Sequence, residues 1–319
     1  MRIVFLIKYR SLGRSDLKVS LVGIGCNNFG RRCDHQQTAK IVHCALDQGI
    51  NFFDTADMYG AGLSEQYLGQ AIRDRAREDV IIASKFGNSM VKGGLKRGAS
   101  RRYIMNAVDD SLRRLGTDYI DLYQQHIPDT ETSIEEILRA LDDLVSSGKL
   151  RCVGHLNFSG WQVSDAHWTA KYNGLNQFVT AQNLYNLLDR RIEQAVIPAC
   201  EKYGVGVLPF FPLASGLLSG KHRRGTAPGE GTRLAAMGDR AAAAMSDAIF
   251  DKVEALTQFA EQSGYSLLQF TMSWLASKAV INSVIAGATS EQQVIANAQG
   301  IAWKLTDDDT NHINELTGR

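Results

Sequence analysis

The chain has 319 residues, of which 44% are hydrophobic and 22% are charged. Its 35 basic and 34 acidic side chains leave a net charge of +1, which argues against nucleic acid and against an anionic membrane as partners. Because no run approaches the roughly 18 apolar residues of a membrane span, we expect a soluble, cytoplasmic protein.

The cysteines and the first residues also bear on the compartment. Five cysteines occur, an odd number without a CxxC spacing, and a chain of this length needs no disulfides, so reduced thiols are expected. The apolar run at residues 3–7 is too short for the core of a signal peptide. It predicts either an extra edge strand or an artefact of start-codon choice.

Short runs of β-branched and aromatic residues alternate along the chain with longer amphipathic stretches. Residues 37–47 predict a helix, because Ile41, Ala45 and Leu46 share one face, and Gly49 is well placed to end it. The short runs predict eight strands, at residues 21–24, 50–53, 80–83, 119–123, 150–153, 178–181, 205–208 and 283–285.

A second clear helix is predicted at residues 133–147. Ser133 and Glu136 form a capping-box pattern at its start, in which each side chain satisfies a backbone N–H of the other residue. Its large apolar side chains recur at a helical period and form one face. Both signals indicate a helix that packs on a core.

The alternation of strands and helices over about eight units predicts a parallel sheet, and at this length a closed barrel. No linker divides the chain, so we expect a single α/β domain over residues 1–319, a (β/α)8 TIM barrel. A long βα7 loop, from residue 221 to about residue 246, separates the seventh strand from its helix. Such a loop lies on the active-site face, although a mobile surface loop without a role is an equally good interpretation.

Several polar side chains follow the predicted strands. Asp54 and Tyr59 come after the second strand, Lys85 after the third and His126 after the fourth. Because the strand ends of a parallel barrel open onto one face, where catalytic groups belong, these side chains are predicted to converge there.

This set suits proton transfer to a carbonyl oxygen. A free tyrosine has a pKa near about 10 and is a poor acid at neutral pH. The Lys85 ammonium would lower the pKa of Tyr59 toward the working range, and Asp54 would hold Lys85 in place. His126 would hydrogen-bond the substrate oxygen. Each residue alone has an ordinary structural interpretation, such as a helix cap or a solvated cation, and only their joint placement favours catalysis.

The signature around these residues resembles the aldo-keto reductase family. Residues 53–60 read FDTADMYG, and the pairs SE and LG follow at residues 64–65 and 68–69. The resemblance runs from about residue 12 to the C-terminus and implies an NAD(P)H-dependent reductase, with a tyrosine as general acid and hydride from the nicotinamide. The catalytic tetrad that it implies is Asp54, Tyr59, Lys85 and His126.

By the same resemblance, later segments bind the cofactor. Asn157 and Gln182 match positions that hydrogen-bond the nicotinamide carboxamide, and Phe210 matches an aromatic that stacks on the ring. Leu213 and Gly216 belong to the loop beside the pyrophosphate. The adenosine-phosphate end is implied at Gly287, Thr289, Gln293 and Asn297. No GxGxxG follows a strand, so a Rossmann domain lacks its motif.

The chain departs from the family pattern at three places. Leu156 stands where a serine usually precedes the carboxamide asparagine, and Phe211 stands where a serine is common near the pyrophosphate. Residues 287–297 contain no lysine or arginine, although a basic side chain often holds the 2′-phosphate there. We therefore expect NADP(H) to be favoured and NAD(H) to be possible. Loop arginines that could compensate are Arg223, Arg224 and Arg233.

The expected partner is a small carbonyl or alcohol substrate in an apolar pocket. Phe29, Phe86 and Ile127 are predicted at its mouth. We expect a monomer, and no metal site, because His126 lacks a spaced cluster of further ligands. Two alternatives remain open: a cofactor-sensing regulatory subunit of the same fold, as some family members are, and a metal-dependent barrel lyase or hydrolase.

Overall fold

The computed structural model describes residues 7–88, 98–238 and 240–318. Its strands are β1 (Tyr9–Ser11), β2 (Lys18–Ser20), β3 (Val22–Gly25), β4 (Phe52–Asp54), β5 (Ile81–Phe86), β6 (Ile120–Gln125), β7 (Leu150–Leu156), β8 (Thr180–Leu184), β9 (Gly206–Phe210) and β10 (Val284–Gly287). Strands β3 to β10 pair in parallel and close into a barrel in the order β10-β3-β4-β5-β6-β7-β8-β9. The (β/α)8 barrel expected from the sequence is confirmed, and each of its eight strands falls on a predicted run.

Helices connect and surround the barrel strands. They are α1 (His35–Asp47), α2 (Leu63–Ala71), α3 (Arg101–Leu115), α4 (Ile134–Ser146), α5 (Gly160–Tyr172), α6 (Val196–Tyr203), α7 (Arg240–Ala244), α8 (Asp247–Gln262), α9 (Leu267–Ser277), α10 (Glu291–Ala298) and α11 (Asp307–Thr317). Helix α7 lies in the long loop between β9 and α8. No described helix is both long and apolar enough to cross a membrane.

The two helices predicted in detail are confirmed, with two differences. Helix α1 begins two residues early, because Asp34 caps it by accepting from the Gln37 N–H at 2.8 Å. At α4, Ser133 accepts from the Glu136 N–H at 3.2 Å, as the capping box predicts. The Glu136 carboxylate does not return the bond. It accepts instead from the Arg101 N–H at 2.9 Å, so a side chain of α4 caps the start of α3.

A short hairpin formed by β1 and β2, absent from the sequence prediction, closes the amino-terminal end of the barrel. Its residues Leu12, Leu17 and Val19 pack on inward-facing barrel side chains in a small buried cluster. The Arg10 guanidinium donates to three carbonyls of residues 276–281, at 2.5–2.9 Å. The edge strand expected at residues 3–7 lies outside the described residues, apart from Ile7.

The rest of the apolar core lies between the barrel and its helices. All five cysteines are free thiols, as expected. The large cluster is continuous around the barrel, which fits a single core built from outward-facing strand residues and inward-facing helix residues.

Candidate active site

The strands place the predicted catalytic side chains by their alternation. Phe52 on β4 and Ala83 on β5 point into the barrel with the small inner cluster. Since strand side chains alternate between two faces, Asp54 and Lys85, each two residues further, also point inward. The register pairs Asp54 with Ala83, so both polar side chains lie at the carboxyl end of the barrel. They belong to the strands themselves, whereas the sequence placed them just after.

Lys85 is the centre of the polar site. Its side chain is fully buried, and its Nζ donates to Asp54 Oδ2 at 2.7 Å and to the Thr55 carbonyl at 2.7 Å. The same Nζ lies 3.3 Å from the Tyr59 hydroxyl and 4.8 Å from the centre of its ring. The convergence predicted for these residues is therefore present in the structure, with lysine between carboxylate and phenol.

The pKa shifts in this group only partly match the expectation. Burial alone would lower the pKa of Lys85, but Asp54 and Tyr59 outweigh it and leave that pKa above its ordinary value, so the ammonium is charged. Burial raises the pKa of Tyr59, and Lys85 lowers it by less. The expected net fall in the pKa of Tyr59 is thus wrong for the protein alone: Lys85 acts in the predicted direction, but burial dominates.

His126, which directly follows β6, lies against Tyr59. The two rings meet edge to face, with centroids 5.8 Å apart. Burial, and then the charge of Lys85, lower the pKa of His126 to about 3, so its imidazole is neutral at pH 7. Its buried Nδ1 has no hydrogen-bond partner among the described residues. A neutral imidazole retains one N–H, which can polarise a substrate oxygen.

Two amides hold the second oxygen of the Asp54 carboxylate. Gln182 Nε2 donates to Asp54 Oδ1 at 2.9 Å, and Gln124 Nε2 donates to the same atom at 3.2 Å. Gln124 is not among the site residues predicted from the sequence, although its spacing from the inward-facing Leu122 was a usable signal. Gln182 was expected only at the cofactor, and its amide nitrogen is instead committed to Asp54.

A second buried acidic cluster lies behind the site. Asp57 Oδ1 accepts from the Met58 N–H at 2.6 Å, whereas Asp57 Oδ2 has no partner among the described residues. Glu65 is fully buried and accepts from Arg114 Nε at 2.6 Å and from Ser84 Oγ. Burial, followed by the charge of Glu65, raises the pKa of Asp57 to about 7. This pKa shift of Asp57 was not predicted from the sequence.

The residues expected at the nicotinamide border the same end of the barrel. Asn157 is exposed in a left-handed conformation, φ 58°, and its Nδ2 lies 3.5 Å from the His126 carbonyl. Phe210 is half-buried at the end of β9, with Phe211 edge-on at 5.2 Å.

Of the residues expected at the pocket mouth, Phe29 and Phe86 are fully buried, whereas Ile127 is half-buried. Phe86 stacks on a core tyrosine, which explains its burial.

The loop after β9 turns back on itself beside Phe210. Leu213 is half-buried, and its carbonyl accepts from the Gly216 N–H at 2.8 Å. Ala214, Ser215 and Gly216 all have positive φ, an arrangement that non-glycine residues adopt only where surrounding structure holds them. Successive backbone N–H groups in turns of this kind form concavities that suit anions.

The segment expected at the adenosine phosphate begins helix α10. Gly287 is exposed at the end of β10, and Ser290 caps the helix. Gln293 Oε1 accepts from the Thr289 N–H at 2.9 Å, so part of its bonding capacity is used within the segment. Asn297 is buried, and its Nδ2 has no partner in the described part of the chain. That buried donor fits a ligand with an acceptor atom.

The long loop contacts the site, but only some of its arginines are available. Arg224 lies within 3.0 Å of Asp247, Asp251 and Glu254 of α8, so its charge is already paired with carboxylates. The Arg233 guanidinium lies 4.0 Å from the centre of the Phe211 ring. Tyr59 is among the groups whose charge acts on Arg233, which places that arginine near Tyr59. The loop therefore borders the site.

Other sites are not suggested by the described residues. They contain no cluster of three or more histidine, cysteine, aspartate or glutamate side chains that could hold a metal. A cavity of about 570 Å³ lies at the opposite, amino-terminal end of the barrel. Its lining includes Asp16, Lys18, Arg75 and Glu78, a mixture of charges without catalytic convergence.

Comparisons with known proteins agree with the barrel fold. A sequence model of the Aldo/keto reductase family matches residues 21–317. The chain is 34% identical to the probable voltage-gated potassium channel subunit beta of Arabidopsis thaliana, over 92% of this chain and 91% of that protein. It is 33% identical to the versiconal hemiacetal acetate reductase of Aspergillus parasiticus, over 97% and 96%. It is 31% identical to the L-glyceraldehyde 3-phosphate reductase of Escherichia coli O157:H7, over 92% and 88%.

Proposed function

Because the chain belongs to the aldo/keto reductase family, whose members use nicotinamide cofactors, we propose that it reduces the carbonyl group of a small aldehyde or ketone to an alcohol, or catalyses the reverse reaction. The observation that carries this proposal is the position of Lys85 Nζ, 2.7 Å from Asp54 Oδ2 and 3.3 Å from the Tyr59 hydroxyl. A fully buried ammonium between a carboxylate and a phenol is the arrangement that a tuned proton donor requires.

The proposed acid is Tyr59. As negative charge develops on the carbonyl oxygen, Tyr59 donates its proton to that oxygen, and the Lys85 ammonium stabilises the phenolate that remains. Asp54, fixed by two amides, keeps Lys85 protonated and in place. His126 stays neutral and holds the substrate oxygen by a hydrogen bond. The phenolate then recovers a proton from solvent.

When bound, a nicotinamide cofactor would supply the hydride for the carbonyl carbon. Asn157, Gln182 and Phe210 would hold its nicotinamide. Because Gln182 Nε2 already donates to Asp54, the side-chain carbonyl oxygen of Gln182 is the atom that remains to accept a hydrogen bond from the nicotinamide carboxamide. Leu213 and Gly216 would border the pyrophosphate. The adenosine end would be held by Gly287, Thr289, Gln293 and Asn297.

We further propose NADP(H) as the working cofactor, with a small preference over NAD(H). The support for NADP(H) is the family resemblance, and the support for a small preference is charge. Residues 287–297 offer only neutral donors and include the exposed Glu291, which would repel a 2′-phosphate. Of the three loop arginines considered above, Arg224 already pairs with carboxylates, so Arg223 and Arg233 remain as candidates to bind the 2′-phosphate.

The test is a turnover assay with aldehydes, ketones and secondary alcohols, each with both cofactors. The panel includes glyceraldehyde 3-phosphate and aromatic aldehydes. Tyr59→Phe is expected to lower kcat by about 10²–10⁴-fold, because it removes the proton donor and keeps the ring beside His126. Cofactor affinity should change little. The matched control is Tyr67→Phe, on α2 against His35. A Tyr59→Phe variant with near-native kcat would overturn the assignment.

A second candidate function is a regulatory subunit that binds the cofactor without rapid turnover. The observation in its favour is that proteins named as potassium channel beta subunits, in Arabidopsis and in rice, are each 34% identical over 92% of this chain. Tight binding of a nicotinamide cofactor, together with no turnover of any carbonyl in the panel, would support this candidate. Multiple turnovers with simple aldehydes would support the enzyme.

A further inference from the structure

The loop after β9 contains a small cradle at Gly216, which has φ +103°. A Cβ on Gly216 would lie 2.6 Å from Lys221 Cε and 3.2 Å from His222 Nε2. A lysine and a histidine side chain therefore both lie directly against this glycine. The absence of a side chain at Gly216 is what allows them to approach the backbone turn.

His222 is unusual within this cradle. Only 8% of its surface is exposed, and its buried Nε2 has no hydrogen-bond partner among the described residues. More than about 90% of buried polar groups in proteins have a partner. An unpaired imidazole nitrogen beside a turn that suits anions indicates a ligand atom that binds there.

The charges around His222 are positive. Burial, followed by the charge of Lys221, lowers the pKa of His222, so the imidazole is neutral at pH 7 in the protein alone. Burial and the charge of Arg32 likewise lower the pKa of Lys221. Arg224, two residues further, is neutralised by α8 carboxylates, but no carboxylate faces the cradle among the groups that act on either residue. The positive charges around the cradle therefore favour the binding of a multiply charged anion.

We propose that His222 binds the diphosphate bridge of the nicotinamide dinucleotide as an imidazolium, so that cofactor binding takes up one proton from solvent. The proposal rests on the function proposed above, since it requires a dinucleotide at the Gly216 loop. A diphosphate carries two negative charges and accepts charge-assisted hydrogen bonds from Lys221 and from protonated His222. The proton stays on His222 while the cofactor is bound and returns to solvent on release.

The direction of the pH dependence follows by linkage. The bound diphosphate raises the pKa of His222 above its value in the free protein, so the complex binds a proton that the free protein lacks. The dissociation constant therefore rises with pH between these two values, by up to about tenfold per pH unit. Lys221 opposes protonation of His222, and Arg32 acts through Lys221.

The test uses NADH as its first probe, because its diphosphate does not titrate between pH 6 and 9, whereas a 2′-phosphate titrates near about pH 6. Fluorescence titration should give a Kd for NADH that rises roughly three- to tenfold from pH 6 to pH 8. Calorimetry in two buffers of different ionisation enthalpy should show proton uptake. NADPH serves as the second probe.

Three variants complete the test. His222→Gln should abolish both proton uptake and the pH dependence, with a Kd at pH 6 raised about tenfold, and His312→Gln, on the exposed face of α11, should leave both as in the native protein. Lys221→Met should weaken binding and shift the dependence to higher pH. Binding of NADH without proton uptake, or uptake that persists in His222→Gln, overturns the role of His222. Failure to bind either cofactor at any pH overturns the proposed function instead.

Discussion

Replacement of Asp57 by asparagine is expected to stabilise the protein, and to do so more at higher pH. Asp57 is buried, one of its oxygens has no partner in the described residues, and Glu65 adds a like charge nearby. These causes raise its pKa from 3.8 to about 7. An asparagine keeps the acceptor for the Met58 N–H and presents an amide where the unpaired oxygen was.

The sign and size of the effect on stability follow from the pKa shift of Asp57. A carboxyl whose pKa rises on folding holds its proton more tightly in the folded state, so the protein loses stability as pH rises from about 4 to about 7. A shift of roughly three units corresponds to about 4 kcal/mol at pH 8, and to about 2 kcal/mol at pH 5. At roughly 2 cal/mol/K of unfolding entropy per residue, 4 kcal/mol corresponds to about 6 °C in Tm.

The assay is thermal unfolding of the native protein and of Asp57→Asn at pH 5, 6.5 and 8. The difference in Tm should grow with pH in favour of the variant. Asp118→Asn, an exposed aspartate before β6, is the matched control and should show no such growth. A difference that stays constant over this pH range, or one that favours the native protein at pH 8, would refute the argument that Asp57 is forced to retain a proton.

Two further predictions concern the site. Lys85→Met should lower kcat at pH 7 at least about 100-fold, because the phenolate of Tyr59 loses its counter-charge and the pKa of Tyr59 rises further; a variant with the native pH–rate profile would show that Lys85 does not tune the acid. NADPH should bind only modestly better than NADH, and Thr289→Arg should strengthen NADPH binding about tenfold without changing the Kd for NADH. A clear preference of the native protein for NADH in fluorescence titration would contradict the cofactor proposal.

The barrel was predictable because its strands are short β-branched runs between amphipathic segments. The residues at which the strands end were less predictable. β5, β6 and β7 extend to Phe86, Gln125 and Leu156, two or three residues beyond the predicted runs. There the sequence turns polar, and polar residues are typical of loops, but at the carboxyl end of the barrel some of them hydrogen-bond one another. Gln124 and Gln182 at the Asp54 carboxylate show this directly.

The convergence of the proposed catalytic side chains was also predictable, because strand order alone brings them to one face. The pKa shifts of these side chains were not predictable. Sequence shows that Lys85 can approach Tyr59, but burial, which dominates the pKa of Tyr59, depends on packing from elements distant in the chain. The same holds for Asp57, whose neighbour Glu65 is recognisable in the signature but not as a buried carboxylate.

The hairpin at the amino-terminal end of the barrel has a consequence for biosynthesis. Arg10 donates to carbonyls that lie 266, 268 and 271 residues later in the chain. At about 5–20 residues per second, the ribosome needs roughly 13–54 s to make those partners after Arg10 has been added. During that interval Leu12, Leu17 and Val19 have no finished barrel to cover. This hairpin, although it is synthesised early, is therefore among the last segments that can dock.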